Sequence, residues 1–348
     1  MKIAVLVSGG VDSSVALRLL EEQDHDIAAF YLKIWLDKNL SHLTSCPWEE
    51  DLNYIKQICK EINIPFEILS MQKAYYERVV EFTISEIKSG RTPNPDVWCN
   101  NRIKFGLFSE QITGFDRIAS GHYARLSTFE NKYVLKMTPD PIKDQTYFLA
   151  HLPQHRLNEL LFPIGDLTKQ EVRQLANDYG LPNAKRKDSQ GICFLGKFKY
   201  RDFVKHFCGT KTGYFVESET GKKVGQHPGY WFYTRGQRKG IGLSGGPWYI
   251  VDKDPNTNVV YVSKTYQSLA PSRKSFVVDS LNWFLNPKEG ETLKVKLRHG
   301  PKTNSCILTR ISDQSIAVEL SEPDQGLAAG QFAVFYRDDI CLGSGIIT

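Results

Sequence analysis

A loop near the start of the chain has the residue types that bind a phosphate group. The segment SGGVDSS at residues 8–14 lies between an apolar run at 3–7 and a helical pattern at 11–20. Glycines let the backbone curl so that several N–H groups face one anion, and the following helix directs its positive end toward the same place. The lysine of a Walker A motif is missing. A plain capped turn between strand and helix is the alternative interpretation.

Two of the seven cysteines lie in segments with features that suit a reactive thiol. Cys99 follows RTPNPDVW at 91–98, where two prolines predict an extended loop, not a helix interior, that holds Asp96 and Cys99 in place. Three cations at 185–187 precede Cys193, and nearby positive charge lowers the pKa of a thiol. The alternative for a lone cysteine is a small buried hydrophobic residue, which we expect for Cys59, Cys306 and Cys341.

The first half of the chain alternates strand patterns with helix patterns. Apolar runs predict buried strands at 3–7, 27–32, 65–69 and 118–120. Helical periodicity predicts helices at 11–20, 48–62 and 75–87, and a capping box at 168–171 predicts one more that runs to Tyr179 and stops at Gly180. Such alternation is typical of an α/β fold with a doubly wound parallel sheet.

The character of the sequence changes after about residue 210, where helical periodicity disappears. Short strand patterns separated by turn residues follow at 248–251, 259–262, 293–297, 316–320 and 332–336. We therefore predict three domains: an α/β catalytic domain at 1–207, a small central domain at 208–268 and a C-terminal β-barrel at 269–348.

The composition is that of an ordinary soluble globular protein of 348 residues, with 41% hydrophobic and 24% charged residues. The net charge of +5 permits an anionic partner without requiring one. Since no CxxC pair occurs, we expect neither a zinc site nor an iron–sulfur cluster. The opening MKIAVLV is too short for a signal peptide or a membrane span, so we expect a cytoplasmic protein without a membrane partner.

Motifs spread from residue 8 to the C-terminus resemble a known family. SGGxDS resembles the loop of N-type ATP pyrophosphatases, which cleave ATP between the α and β phosphates. The full set resembles the tRNA-specific 2-thiouridylase family, and its members here are SGGVDSS, GRTPNPDxxCNxxIKF, SGHYAR, KDQTYFL, KDSQGICFLG, GQRKGIG and GQFAVFY…CLGSGII. The resemblance implies an ATP-pyrophosphatase domain, a small central domain and a C-terminal β-barrel, with tRNA bound by the last two.

The same resemblance implies roles for particular residues. Cys99 resembles the catalytic nucleophile, Cys193 the cysteine that bears a persulfide, and Asp12 a residue near Mg²⁺. Contacts to ATP are implied for Leu6, Val7, Ser8, Gly9, Gly10, Val11, Asp12, Ser13, Leu32 and Gly121. Contacts to the target base are implied for Asn94, Pro95 and Asp96, and contacts to tRNA for His122, Lys143, Asp144, Gln145, Arg298, His299 and Gln331. The implied partners are tRNAs for lysine, glutamate and glutamine and a protein that donates persulfide sulfur.

The implied reaction puts sulfur on C2 of a uridine. AMP transferred to the C2 oxygen would turn that oxygen into a leaving group. A persulfide on Cys193 would then attack the base directly, or Cys99 would attack the persulfide, release sulfide and close a Cys99–Cys193 disulfide. Asp96 is a candidate general acid or base, and an Asx-turn is its structural alternative.

Two other functions remain open at the level of sequence. One is an amide or amidine synthetase that uses the same ATP loop, for which paired cysteines would have no purpose. The other is a non-enzymatic RNA-binding protein with the barrel as its platform, which would leave the phosphate loop unexplained.

Overall fold

A computed structural model describes residues 1–34, 48–188, 200–265, 274–288, 290–324 and 326–348. Its first part is built on a five-stranded parallel sheet with the order β3-β2-β1-β4-β7. The strands are β1 (Lys2–Leu6), β2 (Asp26–Lys33), β3 (Phe66–Ser70), β4 (Arg117–Ser120) and β7 (Leu160–Leu161). The four strands predicted in this part are confirmed, and the two-residue β7 has no signal in the sequence.

Both faces of this sheet are covered, as a doubly wound fold requires. Alternate residues of β1 belong to different cores, because side chains along a strand point to opposite faces. Ile3 and Val5 belong to the core with the first two helices, whereas Ala4 and Leu6 belong to the other core. The chain order reverses between β1 and β4, and the crevice at the carboxyl ends of such strands is where α/β proteins bind ligands.

The helices predicted at 11–20, 48–62, 75–87 and from residue 168 are present, and further short helices occur that the periodicity does not predict. In the first part they are α1 (Val11–Glu21), α2 (Trp48–Glu61), α3 (Gln72–Tyr75), α4 (Glu81–Lys88), α5 (Pro95–Cys99), α6 (Phe108–Gln111), α7 (Thr146–Leu149), α8 (Lys169–Asp178) and α9 (Tyr200–Cys208). π-Helical turns at Tyr76–Val80 and Asn100–Leu107 join α3 to α4 and α5 to α6. The capping box of α8 is present in full, with Thr168 and Glu171 bonded reciprocally, and Gly180 adopts a positive φ just beyond the helix end.

The prediction that residues 91–100 form a loop throughout is wrong in its second half. α5 begins at Pro95, and the helical path continues through Cys99 to Gln111. The physical reason is that the first position of a helix tolerates proline, whose missing N–H has no partner there in any helix. Asn94 before it is the N-cap, and its side chain accepts from the amides of Asp96 and Val97.

The remaining strands form a small sheet and a closed barrel. The small sheet has the order β10-β11-β8-β9, from β8 (Gly213–Glu217), β9 (Lys223–His227), β10 (Tyr249–Asp254) and β11 (Val259–Ser263). The barrel strands are β12 (Ser275–Trp283), β13 (Thr292–Lys296), β14 (Asn304–Arg310), β15 (Ser315–Leu320), β16 (Phe332–Arg337) and β17 (Ile340–Ile347). β12 pairs with both β15 and β17, and this double pairing closes the barrel.

The catalytic part and the barrel share one sheet, which the domain boundaries predicted from sequence do not anticipate. A hairpin of β5 (Arg125–Phe129) and β6 (Lys132–Lys136) extends the barrel sheet, because β6 pairs with β17 through Leu135 and Cys341. Cys306 and Cys341 are buried in barrel strands, as expected, and Cys59 is buried on α2. No helix in the described ranges is both long enough and apolar enough to cross a membrane.

Candidate active site

The loop at 8–14 lies at the carboxyl end of β1, and its shape depends on glycine. Gly9 has a φ of +74°, and a side chain there would come within 2.7 Å of the Asp51 backbone. Two hydroxyls hold the turn from inside: Ser13 Oγ and Ser14 Oγ donate to the Gly10 carbonyl over 3.1 and 3.0 Å. These serines are buried, so the groups left for an anion are mainly the first amides of α1, which have no partner within a helix.

The residues around this loop leave little free space. A side chain at Gly121, just after β4, would lie 2.6 Å from the Ser13 nitrogen, so glycine is needed where the end of β4 meets the first turn of α1. The side chains of Leu6, Val7, Val11 and Leu32 are all buried. Leu32 is paired with Leu69 of β3. An adenine contact by Leu32 therefore stays a prediction. Because the side chain is buried, such a contact would use the backbone of Leu32 more than its side chain.

Asp12 lies in a chain of alternating charges. Its carboxylate accepts from the Tyr123 hydroxyl over 2.9 Å and from Lys169 Nζ over 2.6 Å. Lys169 also contacts Asp188 over 2.8 Å, and Asp188 in turn binds Lys143 over 2.7 Å. Burial alone would raise the pKa of Asp188, but the hydrogen bonds and charges of Lys143 and Lys169 outweigh it and hold that pKa far below its usual range.

Sequence reasoning missed Tyr123, Lys169 and Asp188 as parts of this site. Lys169 was noticed only within the capping box of α8, and Asp188 only beside the cations at 185–187. The signal that could have found Lys169 is its position as the first residue of a helix, where a lysine opposes the helix dipole and calls for an anionic partner. That partner is Asp12, 157 positions away in the sequence.

The cationic run before Cys193 contacts the phosphate loop. Arg186 donates to the Gly9 carbonyl over 2.9 Å and pairs with Asp51 over 2.5 Å. Asn183 donates to the same Gly9 carbonyl and to Ser14 Oγ, both over 2.9 Å. Cys193 itself lies outside the described residues, so a lowered pKa for its thiol stays a prediction.

Cys99 is completely buried at the end of α5. Trp98 beside it packs on His151 and Phe332 with ring centroids 5.3 and 5.5 Å apart, and Arg102 stacks on the same indole. Cys99 belongs to the same apolar core as Leu6 and Leu32. The thiol therefore lies within the core on the face of the sheet that Ala4 and Leu6 cover, and this core extends into the barrel.

We call Cys99 and the side chains packed around Trp98 the thiol region. The barrel contacts the loop that leads into this region through the segment before β16. Gln331 donates from Nε2 to the Thr92 carbonyl over 2.7 Å, and the Thr92 amide donates to the Ala329 carbonyl over 2.8 Å. The Tyr147 hydroxyl donates to the Phe332 carbonyl over 3.2 Å. Burial raises the pKa of Tyr147, so it stays a neutral donor. Gln331, expected to contact tRNA, thus also fixes the loop that leads into α5.

The other residues expected to contact tRNA fall into two groups. Arg298 is half exposed and forms a two-point ion pair with Asp324 at 2.9 and 3.2 Å. The His299 ring stacks on Phe148 at 4.6 Å, and burial, followed by the charge of Lys296, lowers its pKa. Arg298 and His299 are barrel residues, and Phe148 belongs to the catalytic part.

The second group lies in the catalytic part. Gln145 accepts from the Tyr123 amide over 2.9 Å, and Lys143 is held by Asp188. His122 bonds Ser120 Oγ over 2.8 Å; burial, with the nearby charge of Lys104, lowers its pKa well below the usual value, so it is neutral at pH 7. The Asp144 carboxylate is 1% exposed and therefore cannot touch a tRNA in this arrangement.

The donor set near the loop can be compared with what Mg²⁺ requires. Asp12 and Asp188 present carboxylate oxygens on either side of the Lys169 ammonium, which shows that a cation is stabilised between them. Mg²⁺ is commonly held by one or two carboxylates together with substrate phosphates. Within the described ranges no group of three or more His, Cys, Asp or Glu forms a closed metal cage. The residues present therefore fit a Mg²⁺ ion that arrives with a nucleotide.

Fold and site together define a HUP-domain protein with two appended β domains. Residues 1–197 match the family model described as "tRNA methyl transferase HUP domain", residues 201–264 the "tRNA methyl transferase PRC-barrel domain", and residues 273–347 the "Aminomethyltransferase beta-barrel domain". Curated relatives specify the family further. The chain is 44% identical over 360 residues to the tRNA-specific 2-thiouridylase MnmA of Porphyromonas gingivalis, covering 100% of this chain and 99% of the relative.

Two further relatives carry the same name. Identity is 45% over 355 residues with the protein of Parabacteroides distasonis (100% and 99% covered) and 45% over 356 residues with that of Bacteroides thetaiotaomicron (100% of both). At this identity over the full length, the chain belongs to the tRNA-specific 2-thiouridylase family, as its motifs led us to expect.

Proposed function

We propose that this enzyme uses ATP to replace the C2 oxygen of the wobble uridine of tRNA with sulfur. One observation carries the proposal: Cys99 is completely buried in the apolar core that also contains Leu6, the last residue of β1 before the phosphate loop. The reaction needs an activated base and a sulfur nucleophile, and the catalytic part carries both a nucleotide-type loop and a thiol. An RNA-binding platform has no use for either group.

Activation of the base is the first step. The amides of the loop at 8–14 hold the phosphates of ATP, and the uridine O2 attacks the α phosphorus with loss of pyrophosphate. Asp12 would hold a Mg²⁺ ion that arrives with ATP, and this ion would supply positive charge for the departing pyrophosphate. Lys169, already 2.6 Å from Asp12, supplies a second positive charge for the same purpose.

Sulfur transfer follows. The family resemblance assigns the persulfide to Cys193 and its resolution to Cys99, with the two routes given above still open. Whichever route operates, AMP leaves with the original oxygen and the two cysteines end as a disulfide that an external reductant must reopen. Because Cys99 is completely buried, we expect side chains around α5 to move when the flipped base enters.

Asp96 lies in the first turn of α5, one residue after Pro95. A carboxylate at a helix start is stabilised as the anion by the helix dipole, which favours a general base over a general acid. Asn94, the neighbouring N-cap, is bonded to backbone amides, so any contact it makes to the base would use its remaining Nδ2 group.

Binding partners follow from the resemblance and from charge. We infer that the substrates are tRNAs for lysine, glutamate and glutamine and that a separate protein delivers persulfide sulfur. Arg298 at the barrel and Lys143 at the catalytic part are partly exposed cations, each paired with one carboxylate. Such charges suit contacts to the phosphates of an anticodon stem.

The test is pyrophosphate exchange into ATP, measured with and without tRNA. We expect exchange that depends on tRNA, with AMP as the nucleotide product. Exchange supported by an amine or ammonia without tRNA would indicate an amide or amidine synthetase, and tRNA binding without any exchange would indicate a non-catalytic protein. Methyl transfer, the reaction named by the family models, would appear as a methylated nucleoside formed without ATP cleavage.

A further inference from the structure

A buried ion pair joins the catalytic part to the barrel. Lys296 Nζ lies 2.7 Å from Asp144 Oδ2, and both side chains are 0% exposed. Asp144 also accepts from Thr146 Oγ1 over 2.8 Å, and that hydroxyl meets the Tyr336 hydroxyl at 3.0 Å. The Lys296 ammonium is 5.2 Å from the centre of the Tyr336 ring. Both charges are therefore compensated inside a dry core.

Stability alone does not account for this pair. Two buried charges lose their hydration, and well-packed apolar residues of similar size are often as stable or more so. An ion pair does, however, accept few relative placements of its two partners, whereas apolar contacts tolerate sliding. Asp144 precedes α7 in the catalytic part, and Lys296 is the last residue of β13 in the barrel. The pair thus fixes how these two parts meet.

Expected tRNA contacts lie directly beside each partner. Lys143 and Gln145 flank Asp144, and Arg298 and His299 follow Lys296 by two and three positions. His299 reaches back across the boundary to stack on Phe148 at 4.6 Å. The two groups of contacts come from different parts of the chain, so one tRNA can engage both only if their separation is fixed.

We propose that Asp144 and Lys296 are positioning residues whose buried ion pair holds the Lys143–Gln145 surface in register with the Arg298–His299 surface. The inference rests on the proposed tRNA substrate and extends it. It gives Asp144 a role through Lys296 in place of a direct contact with tRNA.

The test variant is the double substitution Asp144→Asn with Lys296→Met, which removes both charges together and leaves no lone buried charge. We expect a folded protein that binds ATP as the wild type does. Because misplaced binding groups weaken productive binding, the KM for tRNA should rise about tenfold while kcat changes less than about twofold. The salt dependence of tRNA binding should keep its slope, since neither side chain neutralises a phosphate.

The matched control is Glu291→Gln with Arg337→Met, which removes an ion pair that lies wholly within the barrel. It should leave the KM for tRNA unchanged. Should the first double variant not fold, Asp144→Glu keeps both charges but changes the reach of the pair by one methylene; it should also raise the KM for tRNA, measured in the same way.

Three results would overturn the inference. An unchanged KM would remove the positioning role, and a flatter salt slope would indicate that Lys296 contacts a phosphate directly. A lower kcat at normal KM would indicate a smaller fraction of folded enzyme and a purely structural pair. Failure of the proposed function is a separate outcome, because the wild-type protein itself would then not thiolate tRNA.

Discussion

The phosphate loop and the thiol region both belong to the catalytic part but are built in opposite ways. The loop at 8–14 is shaped by its own glycines and serines, and charged side chains surround it: Asp12, Lys169, Asp188 and Arg186. Cys99 is completely buried, and Trp98 beside it packs against His151 and Phe332, which come from two other stretches of the chain.

This difference indicates which interactions the phosphate loop and the thiol region each depend on. In the loop, charged partners can exchange, because Lys169 already divides its contacts between Asp12 and Asp188. In the thiol region, packing and neutral hydrogen bonds allow a single arrangement of the side chains. We therefore expect substitutions in the loop to change chemistry with little loss of stability, and changes around Cys99 to affect chemistry and stability together, except where the thiol alone is altered.

The largest effect should come from altering that thiol. Cys99→Ser changes one atom in a buried site, so the fold should persist, while tRNA thiolation should fall by at least about 1,000-fold because the nucleophile is lost. Pyrophosphate exchange in the presence of tRNA should continue, since activation of the base does not use the thiol. Persulfide label should still reach Cys193, and wild-type turnover without reductant should yield a Cys99–Cys193 disulfide in peptide mapping.

A matched control for that variant is Cys59→Ser on α2. Cys59 is also buried, and burial raises the pKa of its thiol to about 11. Thiolation per folded molecule should be normal in this protein. Full activity of Cys99→Ser, or persulfide label on Cys59, would exclude the assignment of the working thiols.

The next effect concerns the loop. Asp12→Asn removes the carboxylate that binds Lys169 and that is suited to Mg²⁺, and ATP cleavage should fall about 100-fold. The free energy of unfolding should change little, because the side chain is partly exposed. Glu21→Gln on the same helix removes a partly exposed charge that is paired with Arg18 and serves as control. Unaltered pyrophosphate exchange in Asp12→Asn would show that this carboxylate takes no part in ATP cleavage.

A smaller effect is expected at the barrel. Arg298→Ala should weaken tRNA binding about fivefold and reduce the slope of log affinity against log salt concentration by roughly 0.7 to 0.9, because one phosphate contact is lost. Arg310→Ala, which removes an exposed arginine paired with Asp313, should change neither. Filter binding at several salt concentrations measures both quantities, and equal slopes for Arg298→Ala and the wild type would remove Arg298 from the tRNA surface.

The smallest expected effect is a change in the pH dependence of stability, and it concerns His151 in the thiol region. Burial, followed by the charge of Arg102, lowers the pKa of His151 to about 4. The unfolded chain therefore binds more protons than the folded one between about pH 6.5 and 4, so stability is complete above that window and falls as the pH drops through it, by at most about 3 kcal/mol. His151→Asn should flatten this part of the unfolding curve; an identical acid profile would show that His151 does not control it.

Sequence patterns predicted the loop well because its determinants are local. Gly9, Gly10 and the serines are adjacent, and the strand before them is a plain apolar run. The same reasoning fails for α5. The two prolines predict an extended loop, whereas the second of them is the first residue of a helix. Helix starts depend on which single residue is the cap, and Asn94 was not considered for that role.

The contacts between distant segments could not be predicted from sequence. Nothing in the pattern around Lys296 indicates that its ammonium is buried against Asp144, because a lysine in a strand is ordinarily an exposed residue. The pairing of β6 with β17 is equally unpredictable, because no sequence pattern shows which edge strands of two domains will pair. These features decide how the residues predicted to contact tRNA are brought together, although the family motifs alone predict most of those residues.

The most direct test of the account is nucleoside analysis of tRNA after incubation with the protein, ATP and a persulfide source. The account predicts 2-thiouridine at the wobble position, with one AMP and one pyrophosphate formed for each sulfur transferred. ADP as the nucleotide product, or a tRNA that gains no sulfur while ATP is consumed, would contradict it.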